Sequence, residues 1–217
     1  MSEPLLSTHG LKAFYGDFQA LFGVDFEIGS GEVVALIGAN GAGKSTFLKS
    51  VMGAIKVGAD MVKLQGKPSG GLPPHLMVSN GVAIVPEGRR LFAGMSVEDN
   101  LRVAIDHKAG GSDTWTLDRI YKLFPILKDK RRDPVQSLSG GKQQMVSIGR
   151  ALLSRPRILL MDEPSIGLAP KLFQDLLAPI RALQQREGLS ILLVEQNVKE
   201  ALKISDRAVV MKSGQLI

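Results

Sequence analysis

The fold of this chain is decided by the segment at residues 33–45, which reads VVALIGANGAGKS. Its first part is entirely apolar, as in a strand that is buried on both faces of a sheet. The part that follows matches the pattern G-x-x-x-x-G-K-[ST], in which a glycine-rich loop joins a strand to a helix. We predict a phosphate-binding loop here, because glycine permits positive φ and close backbone approach, and successive N–H groups can then wrap an anion.

The residues of this loop define the first candidate site. The Lys44 side chain supplies a cation to the β- and γ-phosphates of a nucleotide, and the Ser45 hydroxyl can ligate Mg²⁺. A helix predicted from Ser45 to about Gly53 would direct the positive end of its dipole at the same anion. The predicted nucleotide-binding residues of the loop are Gly38, Ala39, Asn40, Gly41, Ala42, Gly43, Lys44, Ser45 and Thr46.

Two acidic residues after a second apolar strand predict the other half of the site. Residues 158–161 read ILLM and are followed directly by Asp162 and Glu163. Ligands of open α/β sheets bind beyond the carboxyl ends of the strands, so both carboxylates are expected near the phosphates. We predict that Asp162 holds the hydration shell of Mg²⁺ and that Glu163 orients and polarises the attacking water.

A third motif, LSGGKQQ at residues 138–144, predicts a second anion site. Ser139 has the chemistry of a helix N-cap, and Gly140 and Gly141 expose backbone donors at a helix start. One nucleotide cannot obviously use two helix N-termini that lie so far apart in the chain. The motif therefore indicates a site that is shared between two copies of the chain or between two partners.

Apolar segments elsewhere predict a mainly parallel sheet. Buried strands are expected at 82–85, 191–194 and 208–211, with helical patterns between them. Strands that alternate with helices are typical of a parallel α/β fold. Alternating polar and apolar residues at 24–28 predict a half-buried strand, and with it a small antiparallel β portion.

We predict a single domain over 1–217. Its nucleotide-binding core is expected at about 1–87 and 155–217, and a helical subdomain with the LSGG segment at about 88–154, where strand signals are weak. An irregularity is expected at Pro179. Two helical faces are predicted, at Met145, Ile148 and Leu152 and at Leu172, Leu176 and Ile180.

The amino-acid composition excludes several kinds of site and several classes of protein. The 217 residues contain no cysteine, which excludes a disulfide scaffold and a cysteine zinc site. His9, His75 and His107 show no ligand spacing, so no histidine metal site is expected. The net charge of +6 fits an anionic ligand or an acidic membrane surface, and without a long basic arm we expect no nucleic-acid partner. No apolar run approaches the ~18 residues of a membrane span, and no secretion signal is evident, so we expect a cytosolic protein or one held at a membrane by a partner.

The order and spacing of the three motifs resemble the ATP-binding cassette (ABC) family, and the likeness covers residues 5–217. The resemblance implies a P-loop NTPase fold and a head-to-tail dimer, in which each ATP lies between the phosphate loop of one cassette and the LSGG segment of the other. It also implies that Tyr15 stacks on adenine, whereas the alternative for this side chain is ordinary core packing. The residues implied to contact nucleotide across the dimer are Ser139, Gly140, Gly141 and Lys142.

Four positions depart from the usual family pattern. Lys142 stands where Gln is usual, and residues 165–170 lack the usual aspartate. Glu87 replaces a glutamine and can still ligate Mg²⁺ through oxygen. Gln196 replaces a histidine, so it can donate a hydrogen bond to the γ-phosphate but cannot carry a proton. The candidate catalytic residues are Lys44, Glu163 and Gln196, and the candidate Mg²⁺ ligands are Ser45, Glu87 and Asp162.

The segments VPEGRRLF, EPSIGLAPKL and VEQN together resemble the ATPase subunits of bacterial high-affinity branched-chain amino acid importers. That resemblance implies an ATP hydrolase on the cytoplasmic face of the inner membrane, a second cassette subunit that is identical or different, membrane permeases and, indirectly, a periplasmic binding protein. The ATPase subunits of urea and short-amide importers are similar, but this resemblance implies Gln at the position of Glu87 in those proteins. A cassette ATPase acting on ribosomes or DNA usually carries insertions or a second cassette that 217 residues do not hold, and a small nucleotide kinase would leave LSGGKQQ unexplained.

Overall fold

The computed structural model describes residues 3–105 and 115–217. His107, and the remainder of 106–114 within the predicted helical subdomain, lie outside the described residues. The strands are β1 (Leu6–Tyr15), β2 (Phe18–Ile28), β3 (Val33–Ile37), β4 (Val62–Leu64), β5 (Lys67–Pro68), β6 (Val82–Val85), β7 (Ile158–Asp162), β8 (Ser190–Glu195), β9 (Arg207–Lys212) and β10 (Gln215–Leu216). The helices are α1 (Lys44–Val51), α2 (Pro74–Ser79), α3 (Val97–Arg102), α4 (Leu117–Leu123), α5 (Pro125–Asp129), α6 (Gly140–Leu153), α7 (Pro170–Glu187) and α8 (Val198–Leu202), with short 3₁₀ turns at Ala59–Met61 and Val135–Ser137.

The larger sheet has six strands in the order β10-β9-β3-β8-β7-β6. β3 pairs in parallel with β8 and β9, and β7 pairs in parallel with β6 and β8, whereas β10 runs antiparallel to β9. Strands of parallel sheets are covered on both faces and are therefore almost continuously apolar. β3, β7 and β8 are buried along their whole length, and the predicted α/β fold with a mainly parallel core sheet is confirmed.

Alternate residues of β3 enter two separate hydrophobic clusters, because successive side chains of a strand point to opposite faces. Val33, Ala35 and Ile37 belong to the cluster that also contains buried residues of α6 and α7. Val34 and Leu36 belong to the cluster formed with α1, β1 and β2. Burial on both faces fixes the register of β3, and its carboxyl end leads directly into the phosphate loop.

The smaller sheet has four antiparallel strands in the order β2-β1-β4-β5. The strand predicted at 24–28 is the last part of β2, where buried and exposed residues alternate, and the prediction of a small antiparallel portion is confirmed. β1 and β2 form a hairpin in which Tyr15 pairs with Phe18. The hairpin places this aromatic pair next to the phosphate loop.

Helices α3 to α6 lie between β6 and β7 in the chain, and they share a hydrophobic cluster with one face of the larger sheet. On α6, Ile148 and Leu152 are fully buried, as their helical spacing predicts, while Met145 packs at the edge of the cluster. The limits of a helical subdomain stay a prediction. Within the described ranges, no helix combines the length and the apolar character that a bilayer span needs.

Helix α7 differs from its prediction at Pro179, and one residue of its predicted face is exposed. It continues through Pro179 without a break. Leu176 and Ile180 are buried, but Leu172 is 37% exposed. The physical reason is that Leu172 lies in the first turn of α7, where its side chain rests against Gly141 at the start of α6 instead of against the sheet.

Candidate nucleotide-binding site

The phosphate loop connects β3 to α1 and depends on its glycines in two different ways. Gly41 and Gly43 adopt left-handed backbone conformations, with φ of 77° and 108°. Gly38 does not, so positive φ is not what this position requires. A Cβ at Gly38 would instead collide with the carbonyl oxygen of Met211 in β9, and only glycine permits that approach.

Lys44 is almost completely buried at the start of α1 and makes three polar contacts. Its Nζ donates to the carbonyl oxygens of Gly38 at 2.8 Å and Ala39 at 3.0 Å, and it lies 3.1 Å from Oε1 of Glu163. Lys44 and Glu163 are 4% and 8% exposed, so this is a buried ion pair. The cation that the motif predicts for phosphate is thus paired with a carboxylate inside the loop.

Glu163 lies just past the end of β7 with a left-handed backbone, at φ 47°. Its N–H donates to the Val194 carbonyl of β8 at 2.9 Å, which holds the strained residue in place. Its second carboxylate oxygen accepts a hydrogen bond of 2.6 Å from Nε2 of Gln196, which also contacts the Asn40 side chain. Sparsely populated backbone conformations of this kind are characteristic of functional sites. Three of the candidate residues, from separate parts of the chain, therefore meet at one carboxylate.

Asp162 and Ser45 form the second polar pair, with Ser45 Oγ donating to Asp162 Oδ1 at 3.2 Å. Burial raises the pKa of Asp162; the Ser45 hydrogen bond lowers it, and the neighbouring carboxylates of Glu163 and Glu87 raise it further. Negative charge is thus concentrated beside the hydroxyl that the motif assigns to Mg²⁺.

A cavity of about 600 Å³ opens above the loop. Its wall includes Lys44, Ser45, Glu87 and Glu163 on the side of the sheet. On the side of the β1–β2 hairpin, the cavity is lined by three aromatic residues, Tyr15, Phe18 and Phe22.

Tyr15 is 48% exposed, and its hydroxyl lies 3.3 Å from Oγ1 of Thr46. Ordinary core packing is therefore wrong for this side chain. Phe18 and Phe22 are 70% and 46% exposed at the same cavity, and sequence reasoning missed both. The signal was available in the Tyr15-Gly16-Asp17-Phe18 turn, because a tight hairpin brings its two flanking residues side by side.

The LSGG segment lies at the start of α6. Ser139 occupies the predicted N-cap position, but its side chain makes no capping hydrogen bond. Ser139 is exposed, Gly140 and Lys142 are half-buried, and Gly141 is buried under Leu172. None of these four residues lines the cavity at the phosphate loop, so one chain does not bring the two anion sites together.

Glu195, the last residue of β8, is a buried carboxylate that sequence reasoning did not single out. It is 1% exposed, and it accepts hydrogen bonds from the backbone N–H of Ser165 at 3.0 Å and from its hydroxyl at 2.7 Å. Burial raises the pKa of Glu195 despite these bonds. Glu195 thereby connects the end of β8 to the loop that follows Glu163.

Comparison with known proteins agrees with this geometry. Residues 21–166 match the ABC transporter family. The chain belongs to that family, and it is a nucleotide-binding ATP hydrolase of the ABC class.

Individual relatives extend the likeness over nearly the whole chain. The chain is 42% identical to the high-affinity branched-chain amino acid transport ATP-binding protein BraG of Pseudomonas aeruginosa, over 98% of this chain and 91% of that protein. It is 37% identical to the probable branched-chain amino acid transport ATP-binding protein LivF of Archaeoglobus fulgidus, over 98% of this chain and 90% of that protein. Among solved structures, a nucleotide-free ATP-binding cassette of an ABC transporter superimposes with a TM-score of 0.82 at 28% identity, over 99% of this chain and 90% of that one. The ADP conformation of an ATP-binding cassette of an ABC transporter superimposes with a TM-score of 0.83 at 27% identity, over 99% of this chain and 89% of that one.

Proposed function

We propose that this chain is the ATP-hydrolysing subunit of an importer for branched-chain, hydrophobic amino acids, held at the cytoplasmic face of the inner membrane by a permease. The observation that carries the chemistry is the convergence of Lys44, Glu163 and Gln196 at one carboxylate, beside the Ser45–Asp162 pair. A phosphate-binding loop, a candidate base and oxygen ligands for a cation thereby lie at one edge of the sheet.

In the proposed reaction, the nucleotide phosphates take Lys44 from its internal partner Glu163. The released Glu163 carboxylate orients the attacking water, and Gln196 donates a hydrogen bond to the γ-phosphate. Because phosphoryl transfer depends chiefly on positioning and on electrostatic stabilisation, these groups supply what the reaction needs. Gln196 cannot relay a proton, so we assign it a positioning role.

The donor chemistry of the site fits Mg²⁺. Ser45, Asp162 and Glu87 offer oxygen atoms, which this ion prefers. Among the residues that the structure describes, no three His, Cys, Asp or Glu side chains are grouped closely enough to hold a metal alone. Mg²⁺ is usually bound by one or two carboxylates together with substrate phosphates and water. When bound, the ion neutralises charge on the β- and γ-phosphates.

A second cassette would complete the site. Ser139, Gly140, Gly141 and Lys142 stand apart from the cavity of their own chain, and the unused hydroxyl of Ser139 and the free N–H groups at the start of α6 suit an anion from elsewhere. We therefore propose a head-to-tail dimer with either an identical or a different cassette. The dimer would lie beneath permease subunits, to which a periplasmic binding protein delivers the transported substrate.

The substrate assignment is supported by the relatives, since BraG and LivF are both named for branched-chain amino acid transport. Glu87 at the cavity wall supports it over urea or short amides. Import of urea or short amides is the alternative function, and the experiment must distinguish it from import of branched-chain amino acids.

The test uses tagged Glu163→Gln to capture the complex from detergent-solubilised membranes of the source organism with MgATP, followed by mass spectrometry. The matched control carries Lys44→Ala in addition, which removes the proposed phosphate contact. We expect the first variant to recover permease subunits and a second cassette, and the control to recover smaller amounts of these proteins. Uptake of labelled leucine, but not of urea, should be lost when the gene is deleted and restored by the wild type alone. Recovery of ribosomal or DNA-repair proteins without a membrane subunit would overturn the transport function.

A further inference from the structure

The loop that follows β6 carries two consecutive arginines with left-handed backbones. Arg89 has φ 64° and Arg90 has φ 45°, a conformation that non-glycine residues adopt only where their surroundings hold it. Here side chains of α6 hold the backbone of both arginines in place. Ser147 Oγ donates to the Arg89 carbonyl at 3.1 Å, and Arg150 Nη2 donates to the carbonyls of Arg89 at 3.3 Å and Arg90 at 2.9 Å.

This backbone conformation directs the Arg89 side chain to the start of α6. Its Nε donates to Gln144 Oε1 at 3.3 Å, and its Nη1 approaches Gln143 Oε1 at 3.5 Å. Gln143 in turn donates to the carbonyl of Leu138 at 3.0 Å. The guanidinium is therefore connected to Gln143 and Gln144, which follow the LSGG segment, and through Gln143 to Leu138 at the start of that segment.

The same guanidinium also reaches the loop after Glu163. Its Nη2 donates to the carbonyl of Ile166 at 3.3 Å. Gly140 makes room for it, because a Cβ there would lie only 3.0 Å from Nη2, whereas a Cβ on Gly167 would lie at an ordinary contact distance of 3.7 Å. Arg89 thus lies between the start of α6 and the loop at residues 164–168.

We infer that Arg89 is a positioning residue, which fixes the LSGG segment relative to the loop at residues 164–168. Arginine suits the position because its planar fork serves three acceptors in different directions, whereas a lysine ammonium would hold fewer of them in fixed geometry. The catalytic consequence rests on the proposed function, in which the LSGG segment meets a nucleotide held by the other cassette.

Arg90 provides a matched control. It is the neighbouring residue, with the same side chain and the same backbone class, but its side chain is exposed and only its carbonyl contacts α6. Arg90→Ala removes one positive charge and strains the backbone as Arg89→Ala does. Any difference between the two variants therefore reports the guanidinium contacts of Arg89.

The first measurement is peptide-resolved hydrogen exchange on the full chain without nucleotide. We expect Arg89→Ala to speed exchange in peptides covering 138–145 and 164–169 by about fivefold, the factor that corresponds to one ordinary hydrogen bond. Arg90→Ala should leave both peptides unchanged, and Arg89→Lys should be intermediate. Equal exchange in the two alanine variants, or a change confined to the loop at 88–92, would overturn the inference.

The second measurement separates positioning from nucleotide binding. Arg89 does not line the cavity at the phosphate loop, so its loss should leave the Kd for ATP unchanged and lower kcat by about tenfold, with partial recovery in Arg89→Lys. A weaker Kd with unchanged kcat would contradict the assigned role. If the wild type itself shows no ATP hydrolysis, the proposed function fails, while the exchange experiment still decides the placement of Arg89.

Discussion

Glu163→Gln should increase the affinity of the chain for ATP while it abolishes turnover. In the structure, Nζ of Lys44 lies 3.1 Å from the Glu163 carboxylate, so the carboxylate competes with phosphate for this cation. Binding must exchange this partner for the phosphates. The Gln variant keeps the size of the side chain but removes the charge that competes for Lys44, and it also removes repulsion between the carboxylate and the phosphates.

The magnitude follows from the geometry of the pair. Two unit charges separated by 3.1 Å attract each other by about 5 kcal/mol at an effective dielectric constant of about 20. Desolvation of two side chains that are 4% and 8% exposed offsets much of that attraction. We expect a net gain of about 1.4 kcal/mol, which is about a tenfold lower Kd. Turnover should fall by at least about a hundredfold, since the water loses the group that orients it.

The assay is calorimetric titration with a non-hydrolysable ATP analogue and Mg²⁺, so that both proteins are compared without turnover. Glu195→Gln is the matched control, because it removes a buried carboxylate from the adjacent strand end that accepts from Ser165 and from the backbone N–H of Gln196 but does not contact Lys44. Its Kd should stay within about twofold of the wild type, by the additivity of separate contacts. A Glu163→Gln variant that binds no more tightly than the wild type would refute the partner exchange, and near-normal turnover would refute the role of Glu163.

Three further predictions concern other groups of the site. Tyr15→Ala should raise the Kd for ATP about tenfold through lost stacking while Tyr15→Phe retains it, and equal affinities in a fluorescence titration would contradict the adenine contact. Asp162→Asn should shrink the ratio between the Kd measured in EDTA and that measured with Mg²⁺, and an unchanged ratio would remove Asp162 from the metal site. Burial raises the pKa of Glu195 above its ordinary 4.5, so this group favours the folded state at low pH and loses that contribution as pH rises through the raised value. The unfolding temperature of Glu195→Gln should accordingly increase relative to that of the wild type as pH rises above the ordinary value of 4.5, and a difference that does not change with pH would count against this prediction.

The parts of the fold that sequence could predict are those set by local chemistry. The apolar run of β3 and the glycines of the phosphate loop specify a buried strand, a tight loop and a helix start over 33–51. The alternation in β2 likewise predicts a half-buried strand. Leu172 shares the predicted face of α7 but is exposed, because helical spacing gives a face but not the neighbour that this face meets at the first turn.

The parts of the candidate site that could not be predicted depend on contacts between distant segments. Nothing local to Glu195 indicates that its carboxylate binds Ser165, since the two residues are brought together by the pairing of β7 with β8. Arg89 reaches α6 and Ile166 only because its backbone is left-handed. Sequence motifs identify groups that act on a ligand, whereas groups that position those residues emerge only from the packed structure.

The contacts of Glu163 also connect nucleotide binding with activation of the base in the proposed mechanism. One oxygen of Glu163 lies against Lys44 and the other accepts a hydrogen bond from Gln196, and these are the two groups that the mechanism assigns to the phosphates. Phosphates that recruit Lys44 and Gln196 release both oxygens in the same event. Under the proposed mechanism, the carboxylate becomes able to act only when its substrate is present. The same exchange of partners explains why one substitution is expected to strengthen binding and stop hydrolysis together.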